Sequence, residues 1–290
     1  MKPFVSINSR LIPLQKARIS VLNAGYLYGE GLFETLLAVE GKVLFFEKHL
    51  ERLLNGTKAL QITLPMSGPK IKQEILRLLK TNKLSKKVAY VRLCLSADEE
   101  QVGSRNRSNS ALKRRKTTLV IFAIPFHPFS PEFFKKGGRL ILIRSTRNDD
   151  FPVVGVKSTN YLTRMMARRE ILKRGAVEGL LMNQSGRLTE GASSNFFLVK
   201  KGVLITPPLS EGLLPGVTRD VIIRLAKKIK IPFQEKPVTI KDLRNADEIF
   251  VTSTLKGVMP IRNFEGANKK PGEISATLMS AYESSWSRSP

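Results

Sequence analysis

The sequence predicts an α+β chain in two parts: a smaller N-terminal α/β domain at residues 1–124 and a larger, β-rich C-terminal domain with flanking helices at residues 135–290. Three observations carry this reading. Strand and helix periods alternate through the first half, a proline-rich segment interrupts the chain, and short strands divided by glycine turns fill the second half.

In the first half, Phe4–Ile7 and Lys42–Phe46 read as extended, and a helical period runs through His49, Leu50, Leu53, Leu54 and Leu60. Ser67, before Gly68 and Pro69, stands as the N-cap of a second helix with Ile71, Ile75, Leu78 and Leu79 on one face. Val88–Leu95 and Thr117–Ile124 are apolar, β-branched runs that read as neighbouring strands with a long connection. Pro125–Pro131 carries three prolines and two phenylalanines, which stiffens the chain and makes 125–134 the expected linker.

Beyond it, Arg139–Ser145, Glu178–Asn183, Phe196–Val199 and Glu248–Thr252 read as strands, with turns at Ser185-Gly186 and Lys201-Gly202. One helix is expected over about Tyr161–Arg174, ended by Gly175. Another follows Pro215-Gly216, with Val217, Val221, Ile222, Leu225 and Ile229 on one side.

At 290 residues and 42% hydrophobic composition, the chain can fill a sizeable core. Met1–Leu14 lacks the apolar run of a signal peptide, and no stretch reaches the roughly 18 apolar residues a membrane helix needs, so a cytoplasmic protein without membrane partners is expected. Cys94 is the single cysteine, which excludes disulfides within the chain and cysteine zinc clusters; flanked by Leu93 and Leu95, it reads as a small buried apolar residue. The formal net charge of +25 suggests anionic partners. The densest basic cluster, Arg105, Arg107, Lys113, Arg114, Arg115 and Lys116, lies in a Ser/Asn-rich stretch without aromatic residues and reads as a solvated loop. No base-stacking or groove-entering motif accompanies the charge, so a basic nucleic-acid-binding protein is only the remote alternative, and a basic surface drawing in anionic metabolites is expected.

The chemistry points elsewhere. In Gly155-Val156-Lys157-Ser158-Thr159-Asn160-Tyr161, a lysine follows an apolar stretch and precedes helix-capping residues. Partial desolvation there favours the neutral amine, the nucleophile that Schiff-base chemistry requires. Position alone, in a chain this rich in lysine, would make Lys157 a surface residue; its context argues otherwise. Glu190 lies among small residues, where a carboxylate can approach a ring edge and keep a pyridine nitrogen protonated. Glu211–Asp220 delivers a glycine-rich turn into an amphipathic helix, whose free N–H groups favour phosphate. Val251-Thr252-Ser253-Thr254 adds hydroxyls and amides at a strand end.

Together with Tyr28-Gly29-Glu30-Gly31-Leu32-Phe33-Glu34-Thr35-Leu36, His49–Leu53, Glu190-Gly191 with Asn195, and Leu214–Arg219, these segments resemble, in order and over nearly the whole chain, the class IV aminotransferase family of fold-type IV pyridoxal-phosphate enzymes. The resemblance implies that Lys157 is the Schiff-base lysine and proton shuttle and that Glu190 partners the pyridine nitrogen. It implies that Arg52, Val217, Thr218, Ser253 and Thr254 hold the phosphate, with Tyr161 near the phenolic oxygen. Tyr28, Phe33, Tyr90, Arg92 and Leu255 are the implied substrate contacts. Pyridoxal 5'-phosphate, amino-acid and keto-acid substrates, and a homodimer with its active sites between domains are the implied cofactor and partners.

Three family activities compete. Tyr90 and Arg92, on one face of a strand, are similar to the carboxylate-binding pair of branched-chain aminotransferases. Those enzymes usually show a glycine and an arginine after the Phe-Glu pair, where this chain has Thr35 and Leu37. Glu190–Asn195 looks closer to D-amino-acid aminotransferases, yet the Arg-x-His arrangement expected after Ser96 is replaced by Ala97, Asp98, Glu99 and Glu100. Gly257–Pro260 and Phe33–Leu36 are similar to 4-amino-4-deoxychorismate lyase, a folate-pathway enzyme. Transamination of a small amino acid is the first reading and the lyase the alternative.

Overall fold

The computed structural model describes residues 3–98, 116–146 and 155–287. The chain divides into two units: Met1–His127 together with Val156–Asn160, and Pro128–Gly155 together with Tyr161–Pro290. The basic cluster expected as a solvated loop lies outside the described residues, apart from the exposed Lys116. Among the described residues, no helix is long and apolar enough to cross a membrane.

The first unit contains β1 (Phe4–Ile7), β2 (Arg10–Pro13), α1 (Ala24–Tyr28), β3 (Gly31–Val39), β4 (Lys42–Val43), α2 (Phe46–Leu60), α3 (Gly68–Thr81), β5 (Val88–Ala97) and β6 (Thr117–Pro125). The strands form one sheet in the order β2-β1-β6-β5-β3-β4. Alternation sorts β5 by face: Val91, Leu93 and Leu95 are buried with Leu32, Leu36 and the apolar stripes of α2 and α3. Tyr90, Arg92 and Cys94 take the opposite face and stay half-buried. Cys94 is thus not the fully buried apolar residue expected from its leucine neighbours, because those neighbours face the core and the cysteine does not. The register sets Phe33 against Cys94, Thr35 against Arg92 and Leu37 against Tyr90.

Lys42–Phe46 was expected to be extended throughout. Only Lys42–Val43 is strand, because Phe45 adopts a left-handed conformation (φ 51°) and starts α2 at Phe46. The near-continuous apolar run of β3 has no clean alternation, which hid it as a strand. Its first half is buried on both faces: the helices cover one, and Val156–Asn160 passes beside it. The Phe33 N–H donates to the Lys157 carbonyl at 2.9 Å and the Thr159 N–H to the Gly31 carbonyl at 2.8 Å, an antiparallel pairing that fixes Lys157 against β3.

The second unit contains α4 (Pro131–Lys136), β7 (Gly138–Thr146), α5 (Leu162–Lys173), β8 (Glu178–Met182), β9 (Leu188–Gly191), β10 (Asn195–Lys200), β11 (Val203–Thr206), α6 (Val217–Lys228), β12 (Phe233–Glu235), α7 (Ile240–Arg244), β13 (Glu248–Ser253), β14 (Gly257–Phe264), β15 (Ala267–Asn268) and α8 (Glu273–Ser287). Its sheet runs β12-β11-β10-β13-β14-β7-β8-β9, with β15 added on β14. Pairing is antiparallel except at β7–β8, β7–β14 and β11–β12. Phe196, Phe197, Phe250 and Phe264 are wholly buried, and the rings of Phe197 and Phe250 stack with centroids 5.0 Å apart. Helix α4 begins inside the segment expected as a linker, with Ser130 accepting from the Phe133 N–H as its N-cap.

Candidate active site

Each unit carries part of the chemistry. In the first, the Lys157 ammonium lies 4.4 Å from the centroid of the Phe33 ring, and the Arg92 guanidinium lies 3.7 Å from the same centroid. One aromatic ring therefore holds the candidate nucleophile and the candidate carboxylate receptor. Lys157 is half-buried, as its sequence context implied. Arg92 also reaches the Tyr90 hydroxyl at 3.4 Å. Burial works against its charge, but contact with Cys94 and the field of Tyr90 more than compensate and raise its pKa. Tyr28 is exposed (58%), the least enclosed of the expected substrate contacts.

Behind this face, Arg52 is locked in place. Glu34 receives the Arg52 Nε–H at 2.8 Å on one oxygen and the Nη2–H at 2.7 Å on the other, a bidentate fork that fixes the guanidinium plane. His49 Nδ1 lies 2.8 Å from the same carboxylate. Burial lowers the pKa of His49, so the neutral ring donates its Nδ1–H, since an ionised carboxylate only accepts. Burial alone would raise Glu34; Arg52 and His49 overcome it and hold the carboxyl at about 2. Sequence reasoning named Arg52 but missed Glu34 and His49 as its supports, although both stand in the segments quoted for the resemblance.

In the second unit, β9 carries Glu190 one residue before its end, and the side chain is 2% exposed. One of its oxygens accepts from Arg164 Nη2 at 2.5 Å and the other from the Leu214 N–H at 3.2 Å. Arg164 was not anticipated: four residues after Asn160 on a helix bearing Arg168, Arg169 and Lys173, it is indistinguishable in sequence from a surface cation. It also donates to the carbonyls of Gly191 and Ala192, at 3.2 and 3.1 Å, and lies 5.7 Å from the centroid of Tyr161. The Tyr161 hydroxyl approaches the Ala192 carbonyl at 3.4 Å.

The turn into α6 is built by Asn195. Its amide donates to the Leu214 carbonyl at 3.0 Å, and a Cβ on Gly216 would fall 1.9 Å from its Oδ1, so only glycine fits there. Helix α6 then starts without a capping side chain, with Val217 and Thr218 both buried. The hydroxyl of Thr218 is engaged by Tyr282 of α8. The Thr218 backbone amide, at the helix start, is the group expected to bind phosphate.

Ser253, Thr254 and Leu255 are half-buried in the β13–β14 turn, where the Ser253 hydroxyl accepts from the Lys256 N–H at 3.2 Å. Lys256 anchors this turn: its ammonium lies 2.6 Å from Glu178 and 2.9 Å from the Ser193 hydroxyl. Burial would raise the carboxyl of Glu178, but Lys256, Ser193 and the Gly179 amide lower it.

Comparison with known proteins shows the family of the chain. The class IV amino-transferase family model matches residues 31–264. The chain belongs to the class IV aminotransferase family. It is 34% identical to a putative branched-chain-amino-acid aminotransferase of Methanocaldococcus jannaschii, covering 96% of this chain and 95% of that protein. It is 33% identical to the aminodeoxychorismate lyase of Bacillus subtilis (96% and 93% covered) and 30% identical to a D-alanine aminotransferase of Staphylococcus epidermidis (93% and 92%). Among solved structures, the branched-chain aminotransferase of the thermophilic archaeon Thermoproteus uzoniensis, with norvaline, matches with a TM-score of 0.88 at 29% identity, covering 98% of this chain and 94% of that one.

Class IV enzymes depend on pyridoxal phosphate, and the residues present fit that group. The uncapped start of α6 presents donors without a side-chain acceptor, as a phosphate site requires. The Thr252 hydroxyl, beside the Ser253-Thr254 turn, is buried without a hydrogen-bond partner. A carboxylate offers about four acceptor sites, so Glu190 can serve Arg164, the Leu214 amide and a ring N–H together.

Proposed function

We propose that this chain is a pyridoxal-phosphate-dependent aminotransferase that moves an amino group between a small amino acid, branched-chain or D-, and a 2-keto acid. The observation that carries the reading is the shared Phe33 ring: an amine and a carboxylate-binding guanidinium on one aromatic surface suit a substrate that carries both an amino group and a carboxylate.

Arg52, the Val217 and Thr218 amides, Ser253 and Thr254 would hold the cofactor's phosphate, Tyr161 its phenolic oxygen and Glu190 its ring nitrogen. Bound there, pyridoxal phosphate supplies the electron sink that stabilises negative charge at the substrate Cα. Lys157 would hold the cofactor through its side-chain amine and would take the Cα proton as general base. Glu190 would stand against the ring nitrogen and favour its protonated form. Arg92 and Tyr90 bind and orient the substrate carboxylate, with Phe33, Tyr28 and Leu255 shaping the space around it. Thr35, where branched-chain enzymes usually carry glycine, is the cross-strand partner of Arg92.

A second reading is 4-amino-4-deoxychorismate lyase, favoured by the relative of that activity at 33% identity over 96% of the chain. Both readings use Lys157 and Glu190 in the same roles. A panel of L- and D-amino acids with 2-oxoglutarate or pyruvate, set beside aminodeoxychorismate, separates them: keto-acid formation from an amino acid supports transamination, and pyruvate release from aminodeoxychorismate alone replaces it with the lyase. We further propose a homodimer, supported by apolar side chains exposed on both units, Val21 (72%) and Tyr26 (76%) on one and Leu162 (72%) and Met166 (60%) on the other. Light scattering that gives the monomer mass at micromolar concentration would reject it.

A further inference from the structure

Arg164 grips Glu190 in a way that serves more than local stability. Its guanidinium reaches four features of the second unit at once: the Glu190 carboxylate at 2.5 Å, the carbonyls of Gly191 and Ala192 that follow it, and the neighbourhood of the Tyr161 ring. Its side chain is 19% exposed against 2% for Glu190, so solvent screens the pair weakly. The Leu214 N–H fixes the other Glu190 oxygen. A carboxylate held at both oxygens cannot rotate, and the direction in which it presents its remaining lone pairs is set by Arg164.

The same contact has an electrostatic effect. The guanidinium partly offsets the negative field that Glu190 would present to a nearby ring, and it repels positive charge on that ring. We propose that Arg164 is a positioning residue for Glu190, fixing the carboxylate's direction and loosening its hold on the proton of the cofactor's ring nitrogen; this rests on the cofactor reading given above. Among the described residues, the charged and titratable groups facing the pair include Tyr161, which leads into α5, and Glu178 of β8, itself neutralised by Lys256. Burial works against the Arg164 charge, but Glu190, Tyr161 and Glu178 raise its pKa, so the guanidinium stays charged throughout any accessible titration.

The test uses holoenzyme loaded with ring-15N pyridoxal phosphate, whose ring-nitrogen chemical shift reports protonation directly across pH, with visible circular dichroism reporting cofactor orientation. Arg164→Met should hold the ring proton to a pH about one unit or more above wild type and change the dichroic band. Arg164→Lys, which keeps the charge, should titrate close to wild type. If Arg164→Met does not fold, Arg164→Gln makes the same comparison, because its amide can still donate to the two carbonyls without the charge. Coincident titrations of wild type and the neutral variant, or earlier loss of the proton in the variant, would overturn the proposal. So would lowered melting temperatures with unchanged titration, which mark a purely structural brace. If wild-type protein takes up no cofactor, the function reading falls and this inference with it; uptake with coincident titrations removes the inference alone.

Discussion

Replacing Glu34 by glutamine tests the buried support beneath Arg52. The amide keeps the shape of the side chain and removes the charge, so Arg52 loses its bidentate partner and His49 loses its carboxylate acceptor. The carboxyl of Glu34 is lowered from 4.5 to about 2, and at about 1.36 kcal/mol per unit this makes its ionised form worth about 3 kcal/mol to the folded state. That agrees with the roughly 3–5 kcal/mol typical of breaking a buried ion pair from one side. The sign follows from a folded value below the unfolded one: the stabilisation is complete above pH 4.5 and is lost as pH falls through 2. Urea denaturation at a series of pH values should therefore give a wild-type advantage of about 3 kcal/mol at pH 7, shrinking progressively below pH 4.5. His49, whose pKa burial lowers, is a second titratable group on the same carboxylate, so the comparison is repeated with His49→Gln in both proteins. A difference that stays constant from pH 7 to 3, or one below about 1 kcal/mol at pH 7, would show that the ion pair is not the source.

Borohydride should fix the cofactor covalently to wild-type protein, with peptide mapping placing it on Lys157 and Lys157→Ala carrying none; label on a different lysine would refute the assignment. Glu190→Gln should slow removal of the Cα proton tenfold or more, at about 1.36 kcal/mol per decade, while changing cofactor affinity much less, as single-turnover kinetics and equilibrium binding would separately show. Gly216→Ala should weaken cofactor binding and lower thermal stability, because its Cβ meets Asn195 Oδ1 at 1.9 Å. Asn195→Ala in the same protein should relieve the clash without restoring affinity, since the bond to the Leu214 carbonyl is then gone; full recovery of affinity would make the turn indifferent to Asn195.

What the sequence made legible is what local chemistry encodes. The helices after Ser67 and Gly216 start where capping and glycine signals put them, and β5 and β6 pair as neighbouring runs should. Lys157, the Gly216 turn and the Ser253-Thr254 turn stand out in the sequence because each sits in a segment with its own compositional signature. Helix α8 was not read, because its serines and alanines blur the apolar stripe that buries Leu278 and Tyr282. The pairings of Arg164 with Glu190, Arg52 with Glu34 and Lys256 with Glu178 span 26, 18 and 78 residues. Forty-nine lysines and arginines make every such pairing one choice among many until the fold selects it.

The passage of Val156–Asn160 into the first unit, while Gly155 and Tyr161 belong to the second, constrains how this gene can be cut. A fragment ending at His127 would retain all six sheet strands named for the first unit but leave the start of β3, Gly31–Phe33, with backbone groups that Lys157 and Thr159 otherwise satisfy. Recombination between residues 127 and 128 would likewise part the candidate nucleophile from the ring it stacks on. Functional exchange of the N-terminal unit among homologues therefore has to carry two separate stretches of coding sequence, and a chimaera with a single crossover there inherits its lysine from one parent and the strand that seats it from the other.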